Sequence, residues 1–234
     1  MNIVITMGGL GMRFRNAGYN IPKYEIEVKG KTLFEWSMSS LKNFFDNQFI
    51  FIVRRQDNAA DFINTNCARI GIKGKIIELE NLTRGQAETA MMALKFLAVD
   101  EPILIYNIDT YVEPGHLSPE KINGDGFIPC FIAEGSHWSF VKLDESGRAV
   151  EVREKVRISD NCSIGAYYFK SARLFEELYK KFYSENPASS EQYIAPIYNL
   201  LIKNGGDVRI QSIDSKFVHV LGTPEEIKIF SALQ

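Results

Sequence analysis

Cysteine is scarce in this chain. Cys67, Cys130 and Cys162 are its three cysteines, widely spaced and without a C-x-x-C pair. That spacing speaks against a disulfide framework or a zinc site, and for free thiols in a reducing compartment. Histidine is as sparse: His116, His137 and His219 fall at no metal-ligand spacing and read as structural. No apolar run approaches the about 20 residues a membrane helix needs. The N-terminus enters "NIVIT" without the basic and apolar regions of a secretory signal. A cytoplasmic protein with no membrane insertion is expected. Charge of one sign is lacking too. The 27 Lys and Arg against 29 Asp and Glu leave a net charge of -2, too little positive field for a general nucleic-acid binder.

What remains is an ordinary globular composition, 45% hydrophobic over 234 residues, enough for one sizeable core. "NIVIT", "FIFIV", "KIIEL" and "PILIYN" read as strands buried on both faces. Between them "TLFEWSMSSLKNFF", "NAADFINTNCARI" and "QAETAMMALKFLA" carry apolar residues at helical spacing. This alternation predicts parallel βαβ units, whose ligands sit beyond the carboxyl ends of the strands. In the second half "GFIPCFIAE", "HWSFVKL", "AVEVREK" and "CSIGAYYF" read as strands. "SARLFEELYKKFYS" and "SEQYIAPIYNLLIKNG" follow as helices, then "DVRIQSI" and "KFVHVLG" as strands. A last helix opens at "TPEEIKIF", with Thr223 as N-cap, Pro224 in the first turn and acids beside it. The expected class is α/β: a Rossmann-like, mixed and mostly parallel sheet flanked by helices. One domain spans 1–234, with a nucleotide-binding half at 1–112 and an elaborated acceptor-binding half at 113–234.

The most pointed stretch is "TMGGLGMRFRNAGYNIPKYEIEV", directly after the first strand. Its glycines let backbone amides approach a ligand, and Arg13, Arg15 and Lys23 supply charged donors. A phosphate loop is the natural reading. The Walker string G-x-x-x-x-G-K-[ST] does not occur. Gly9-x-Gly11 begins a dinucleotide fingerprint, but Phe14 stands where its third glycine belongs.

The string Gly8-Gly9-Leu10-Gly11-Met12-Arg13-Phe14, followed by Pro22-Lys23, resembles the signature of the sugar-phosphate nucleotidylyltransferases (NDP-sugar pyrophosphorylases). "TRGQAETA" resembles their nucleobase segment, "IYNIDTYV" their metal-binding strand end and "VREK" their Glu-Lys acceptor pair. "SIGAYYF" resembles their sugar-side glycine strand, and "LGTPEE" their closing element. The resemblance covers almost the whole chain and describes a catalytic core alone. It implies a nucleotide bound by Gly8, Gly9, Leu10, Gly11 and Arg13, with Leu82, Gly85 and Gln86 at the base. It implies an acceptor held by Trp138, Glu154, Lys155 and Gly165. Catalysis would fall to Arg13 at the pyrophosphate, Lys23 at the α-phosphorus and Asp109, which would hold Mg²⁺. Many members carry a second metal-binding aspartate just before the closing Gly-Thr, where Val220 stands here.

The implied reaction joins an NTP to a small phosphorylated acceptor, a sugar 1-phosphate first among them, and releases pyrophosphate. The compact form is similar to enzymes that serve capsule or surface-glycan synthesis. Two alternatives stay open: a cytidylyltransferase for a non-sugar phosphate such as phosphocholine, and a glycosyltransferase of similar fold. The latter would need a D-x-D motif, which Asp109-Thr110-Tyr111 is not. The base, the acceptor and self-association as a homo-oligomer are left open by the sequence.

Overall fold

The computed structural model describes residues 1–233. Its first half runs β1 (Asn2–Thr6), α1 (Met12–Asn16), β2 (Glu27–Val28), β3 (Lys31–Thr32), α2 (Leu33–Ser39), β4 (Gln48–Arg54), α3 (Ala60–Ile70) and β5 (Gly74–Leu79). It then continues through α4 (Gln86–Met91), β6 (Ile103–Asn107) and β7 (Thr110–Val112). The second half follows as β8 (Gly126–Ile132), β9 (Ser139–Leu143), β10 (Ala149–Glu154), β11 (Asn161–Ser163) and β12 (Ala166–Phe169). Last come α5 (Ala172–Glu185), α6 (Tyr198–Lys203), β13 (Val208–Ser212), β14 (Val218–Val220) and α7 (Pro224–Ala232).

One mixed sheet organises the molecule, in the order β10-β9-β11-β8-β12-β6-β1-β4-β5, with β13 also paired to β8. The β5-β4-β1-β6 side is parallel throughout. From β12 outwards neighbouring strands run antiparallel, apart from the β13–β8 pair. The continuous apolar runs make sense in this setting. Alternate residues of each strand point to opposite faces, and both faces are covered. Ile3, Ile5, Phe49, Phe51, Leu104 and Tyr106 feed one core cluster. Val4, Ile50, Ile52, Ile103 and Ile105 feed the other. Helices α2 and α3 supply Phe34, Met38, Ile63 and Cys67 to the first. Helices α4, α5 and α6 close the second with Ala87, Ala90, Phe175, Leu178 and Leu201.

A third, smaller cluster matters most for function. Phe14 of α1, Ile26, Leu33 of α2, Tyr111 of β7, Leu221, and Ile227 and Phe230 of α7 pack together. It ties the last helix of the chain to the loop that follows the first strand. The pairing of β7 with β14 underlies it, with His219 opposite Tyr111 and their rings stacked at 5.3 Å.

Two stretches differ from their sequence reading. "CSIGAYYF" is not one strand but β11 and β12, broken at Gly165, whose φ of 82° no extended strand accepts. "SEQYIAPIYNLLIKNG" is helical only from Ala195, as a short 3₁₀ turn leading into α6. Pro196 falls at the start of that turn, where its missing N–H is harmless.

Candidate active site

Strand β1 lies between β4 and β6, and Thr6 at its end stands level with Asn107 of β6. The chain goes from β1 to β4 and β5 on one side, then returns to β6 on the other. The carboxyl ends of β1 and β6 therefore flank the point where strand order reverses, the place where an open α/β sheet leaves a crevice. The Gly8–Gly11 loop leaves β1 there, and Asp109 follows β6 there.

A cavity of about 710 Å³ occupies this crevice and extends across the sheet toward β9–β12. Gly8, Gly9, Leu10, Arg13, Lys23, Leu82, Gly85, Gln86, Asp109, Trp138, Glu154 and Gly165 all line it. Gly11 and Lys155 do not. Gly11 caps α1 in the left-handed conformation, φ 62°, which turns the loop into the helix. Lys155 sits outside, its ammonium bonded to the Tyr193 hydroxyl and 3.8 Å from Glu191, both of which line the cavity. The Tyr193 bond holds the Lys155 pKa above its ordinary value.

At the opening loop the backbone is open to the cavity. No atom lies within 4 Å of a Cβ built on Gly9. Arg15 turns back and donates from Nε to the Leu10 carbonyl at 3.0 Å, fixing the loop rather than facing the cavity. Across from it, Gly85 has φ 153°, and a Cβ there would meet the Gln192 carbonyl oxygen at 2.5 Å. Only glycine lets the Leu82–Gln86 segment close onto that backbone, where Ala87 N–H donates to Gln192 O at 2.9 Å. Gln86 then reaches from the head of α4 to Thr6 Oγ1 at 3.2 Å.

The charges converge at the strand ends. Lys23 Nζ donates to Asp109 Oδ2 at 2.6 Å, with both side chains mostly buried. Lys23 is held from behind: the hydroxyl of neighbouring Tyr24 donates to Asp57 Oδ2 at 3.3 Å, and Arg54 Nε bonds the same oxygen at 3.2 Å. Asn107 is clamped by Gly165, because a Cβ at that glycine would overlap the Asn107 amide. Asn107 Oδ1 and Glu226 Oε2 are buried without a hydrogen-bond partner, the only such side-chain atoms among the described residues. Both residues line the cavity.

On the acceptor side Glu154 accepts a hydrogen bond from the Ser139 hydroxyl. Ser139 Oγ is 2.9 Å from the Tyr167 hydroxyl. Ser139 has one proton to give, so Tyr167 donates to Ser139 and Ser139 to Glu154. Burial raises the Glu154 carboxyl above its usual range, against the Ser139 bond and the Lys155 charge. Trp138 donates its indole N–H to Glu134 O at 2.9 Å and packs edge-on against Phe131.

Sequence reasoning passed over Asn107, Ser139, Tyr193 and Glu226, and took His137, which also lines the cavity, for a structural residue. The T-x-x-E spacing of Thr223 and Glu226 was the available signal for one of them. Among the described residues no three His, Cys, Asp or Glu side chains gather to hold a metal ion. Nor is any helix among them long and apolar enough to cross a membrane.

Solved structures share this architecture. A nucleoside-diphosphate-sugar pyrophosphorylase from Vibrio cholerae RC9 is 36% identical over 99% of this chain and 100% of that one, with a TM-score of 0.91. An inositol-1-phosphate CTP transferase from T. maritima has the same fold at 16% identity, covering 96% of this chain and 90% of its own, with a TM-score of 0.74. HddC from Yersinia pseudotuberculosis matches in fold at 19% identity over 98% and 99% of the two chains, TM-score 0.69. No family model matches the chain, and no curated protein does.

Proposed function

The chain belongs to the nucleoside-diphosphate-sugar pyrophosphorylase family and is a nucleotidyltransferase; from that premise we propose that it joins an NTP to a sugar 1-phosphate, giving an NDP-sugar and pyrophosphate. The observation that carries this reading is the meeting of Lys23 and Asp109 at 2.6 Å beneath the Gly8–Leu10 loop, at the reversal point of the sheet.

In this reading the acceptor's phosphate oxygen attacks the α-phosphorus in line, and the bond to pyrophosphate breaks. The nucleophile is already ionised near neutral pH, so no side chain has to take a proton from it. The barrier is repulsion between anions, and the residues act by positioning and by charge. Arg13 binds the departing pyrophosphate, and the Gly8–Leu10 amides cradle the phosphate chain. Lys23 leaves Asp109 for the α-phosphate when nucleotide enters. Leu82 to Gln86 hold the base, largely through backbone groups.

The family's divalent cation fits this donor set. Asp109 and the unpartnered Asn107 Oδ1 are hard oxygens on one cavity wall, and the Lys23 ammonium already stands as a cation on Asp109. Asp109 would hold Mg²⁺ here. Once bound, such an ion supplies neutralisation of phosphate charge.

Glu154, fixed by Ser139 and Tyr167, presents acceptor oxygens to hydroxyl groups. Trp138 and Gly165 border the same end, and Lys155 takes the acceptor phosphate from the rim. The two halves of the chain act as one unit, 1–112 binding nucleotide and 113–234 the acceptor. Its product would be a donor for glycosyl transfer, as in capsule or surface-glycan assembly.

The test is pyrophosphate release, scanned over the four common NTPs with a panel of sugar 1-phosphates and phosphocholine. Release that requires a sugar 1-phosphate and matches NDP-sugar formed is expected. Release with phosphocholine alone, or no release from any NTP but nucleoside diphosphate freed when an NDP-sugar is supplied, would replace this reading by one of its rivals.

A further inference from the structure

Helix α7 opens on Thr223-Pro224-Glu225-Glu226, a T-x-x-E spacing. In a complete capping box the hydroxyl takes the N–H of the third helical residue, whose carboxylate reaches back to the N-cap N–H. Helix α2 makes both bonds, between Thr32 and Glu35. Helix α7 makes one. Thr223 Oγ1 accepts from the Glu226 N–H at 3.1 Å, but Glu226 Oε2 is buried and has no hydrogen-bond partner.

A buried carboxylate oxygen without a donor is costly, and the helix start does not use this one. Its surroundings explain where it is aimed. A Cβ built on Gly222 would lie 3.2 Å from Asp109 Oδ2 and 3.5 Å from Glu226 Oε2. The two oxygens border one space, which any side chain at position 222 would fill. The cluster of Phe14, Leu221, Ile227 and Phe230 holds α7 against the opening loop. The Leu221 N–H, donating to Asp109 O at 2.8 Å, fixes the approach. Two carboxylates thus stand at this end of the cavity, and Lys23 pairs with Asp109 while Glu226 Oε2 has no partner.

We propose that Glu226 is the second carboxylate of the divalent-cation site, facing Asp109 across Gly222 and taking the part that the family resemblance would give to an aspartate at position 220. The inference rests on the nucleotidyl-transfer reading above. A hard cation suits it: Mg²⁺ or Mn²⁺ takes one or two carboxylates and fills its shell with phosphate oxygens and water. The side chain at 220 is then free to be Val, because the charge arrives from the first turn of α7.

The experiment is a Mn²⁺ titration of the intact protein followed by electron paramagnetic resonance, with Mn²⁺ alone and with inorganic pyrophosphate. It needs no knowledge of the base or the acceptor. Glu226→Gln and Asp109→Asn should each weaken Mn²⁺ binding at least about tenfold, and circular dichroism should report an intact fold. Glu225→Gln, one residue away and exposed, should bind as the wild type does. If Glu226→Gln fails to fold, Glu226→Asp decides, since shortening a true ligand by one methylene weakens binding and shortening a bystander does not. Wild-type Mn²⁺ affinity in the Glu226 variant, with the loss confined to Asp109→Asn, would overturn the proposal while leaving the active site in place. Binding indifferent to both positions would instead defeat the active-site reading itself.

Discussion

Two helices of this molecule begin with the same spacing, Thr32-x-x-Glu35 and Thr223-x-x-Glu226, and spend their glutamates differently. Glu35 Oε2 accepts from the Thr32 N–H at 2.9 Å and from its hydroxyl at 3.0 Å. Its other oxygen takes Arg69 at 2.7 Å. Burial pushes the Glu35 carboxyl up, but these bonds outweigh it and hold the group below the usual carboxylate range. Glu226 forms no such bonds and lies beside Asp109 and the cavity. Local grammar is therefore the same, and tertiary placement decides the role. A helix start closed on itself stabilises the fold. One left half-closed beside another carboxylate keeps an oxygen available to a ligand.

The largest effects should fall on turnover and spare the structural glutamate. In the proposed reaction Lys23→Ala and Arg13→Ala each remove a positive charge from the phosphates, and Asp109→Asn removes the carboxylate that would hold the cation. Losing one such group typically costs about 10²–10³ in rate, roughly 2.7–4 kcal/mol of transition-state stabilisation. Steady-state pyrophosphate release should show these losses, with melting temperatures close to wild type. Glu35→Gln, measured in the same assay, should turn over normally. A rate loss in Glu35→Gln as large as that in Asp109→Asn would erase the distinction between the two helix starts.

Stability should show the reverse order. Removing the Glu35 box leaves the Thr32 N–H without its acceptor and Arg69 without its partner. The loss should be about 1–2 kcal/mol for Glu35→Ala by urea denaturation, the range of a lost N-terminal cap. Glu226→Gln removes a carboxylate that makes no bond, so its stability should stay within about 0.5 kcal/mol of wild type or rise. If Glu226→Gln instead lost as much as Glu35→Ala, Glu226 would be a cap after all.

This contrast also marks how much could be read from the chain. The parallel strands were legible because residues such as Ile3, Val4, Phe49 and Ile50 are apolar on both sides of a sheet that is covered on both sides. The gathering of candidate residues was legible too: Gly8, Gly9 and Asp109 follow β1 and β6, Arg13 and Lys23 come from the segment after β1, and a parallel sheet leaves such ends around one crevice. Lys155 was less so: it adjoins Glu154 in sequence, yet it lies just past β10 in the left-handed conformation, φ 56°, and the two side chains go to different places. The break at Gly165 depends on the Asn107 side chain, 58 residues earlier, and no local pattern carries it. The β7–β14 pair was missed because each strand is three residues long. Glu226 was hidden by its own spacing, which reads as a cap whether or not the second bond forms.

The smallest effect is the titration of the closed helix start. A carboxyl whose folded pKa is depressed stabilises the fold above its unfolded pKa, and that contribution is lost as pH falls through the folded value. Glu35 is such a group, held below the usual carboxyl value of 4.5 by Thr32 and Arg69. Its contribution should be complete at neutral pH and should fade on acidification below about pH 4.5. Unfolding free energies for wild type and Glu35→Gln, measured from pH 7 downward, should therefore converge in acid. Parallel curves for wild type and Glu35→Gln across that range would mean that the Thr32 box contributes through packing rather than through the charge of its glutamate.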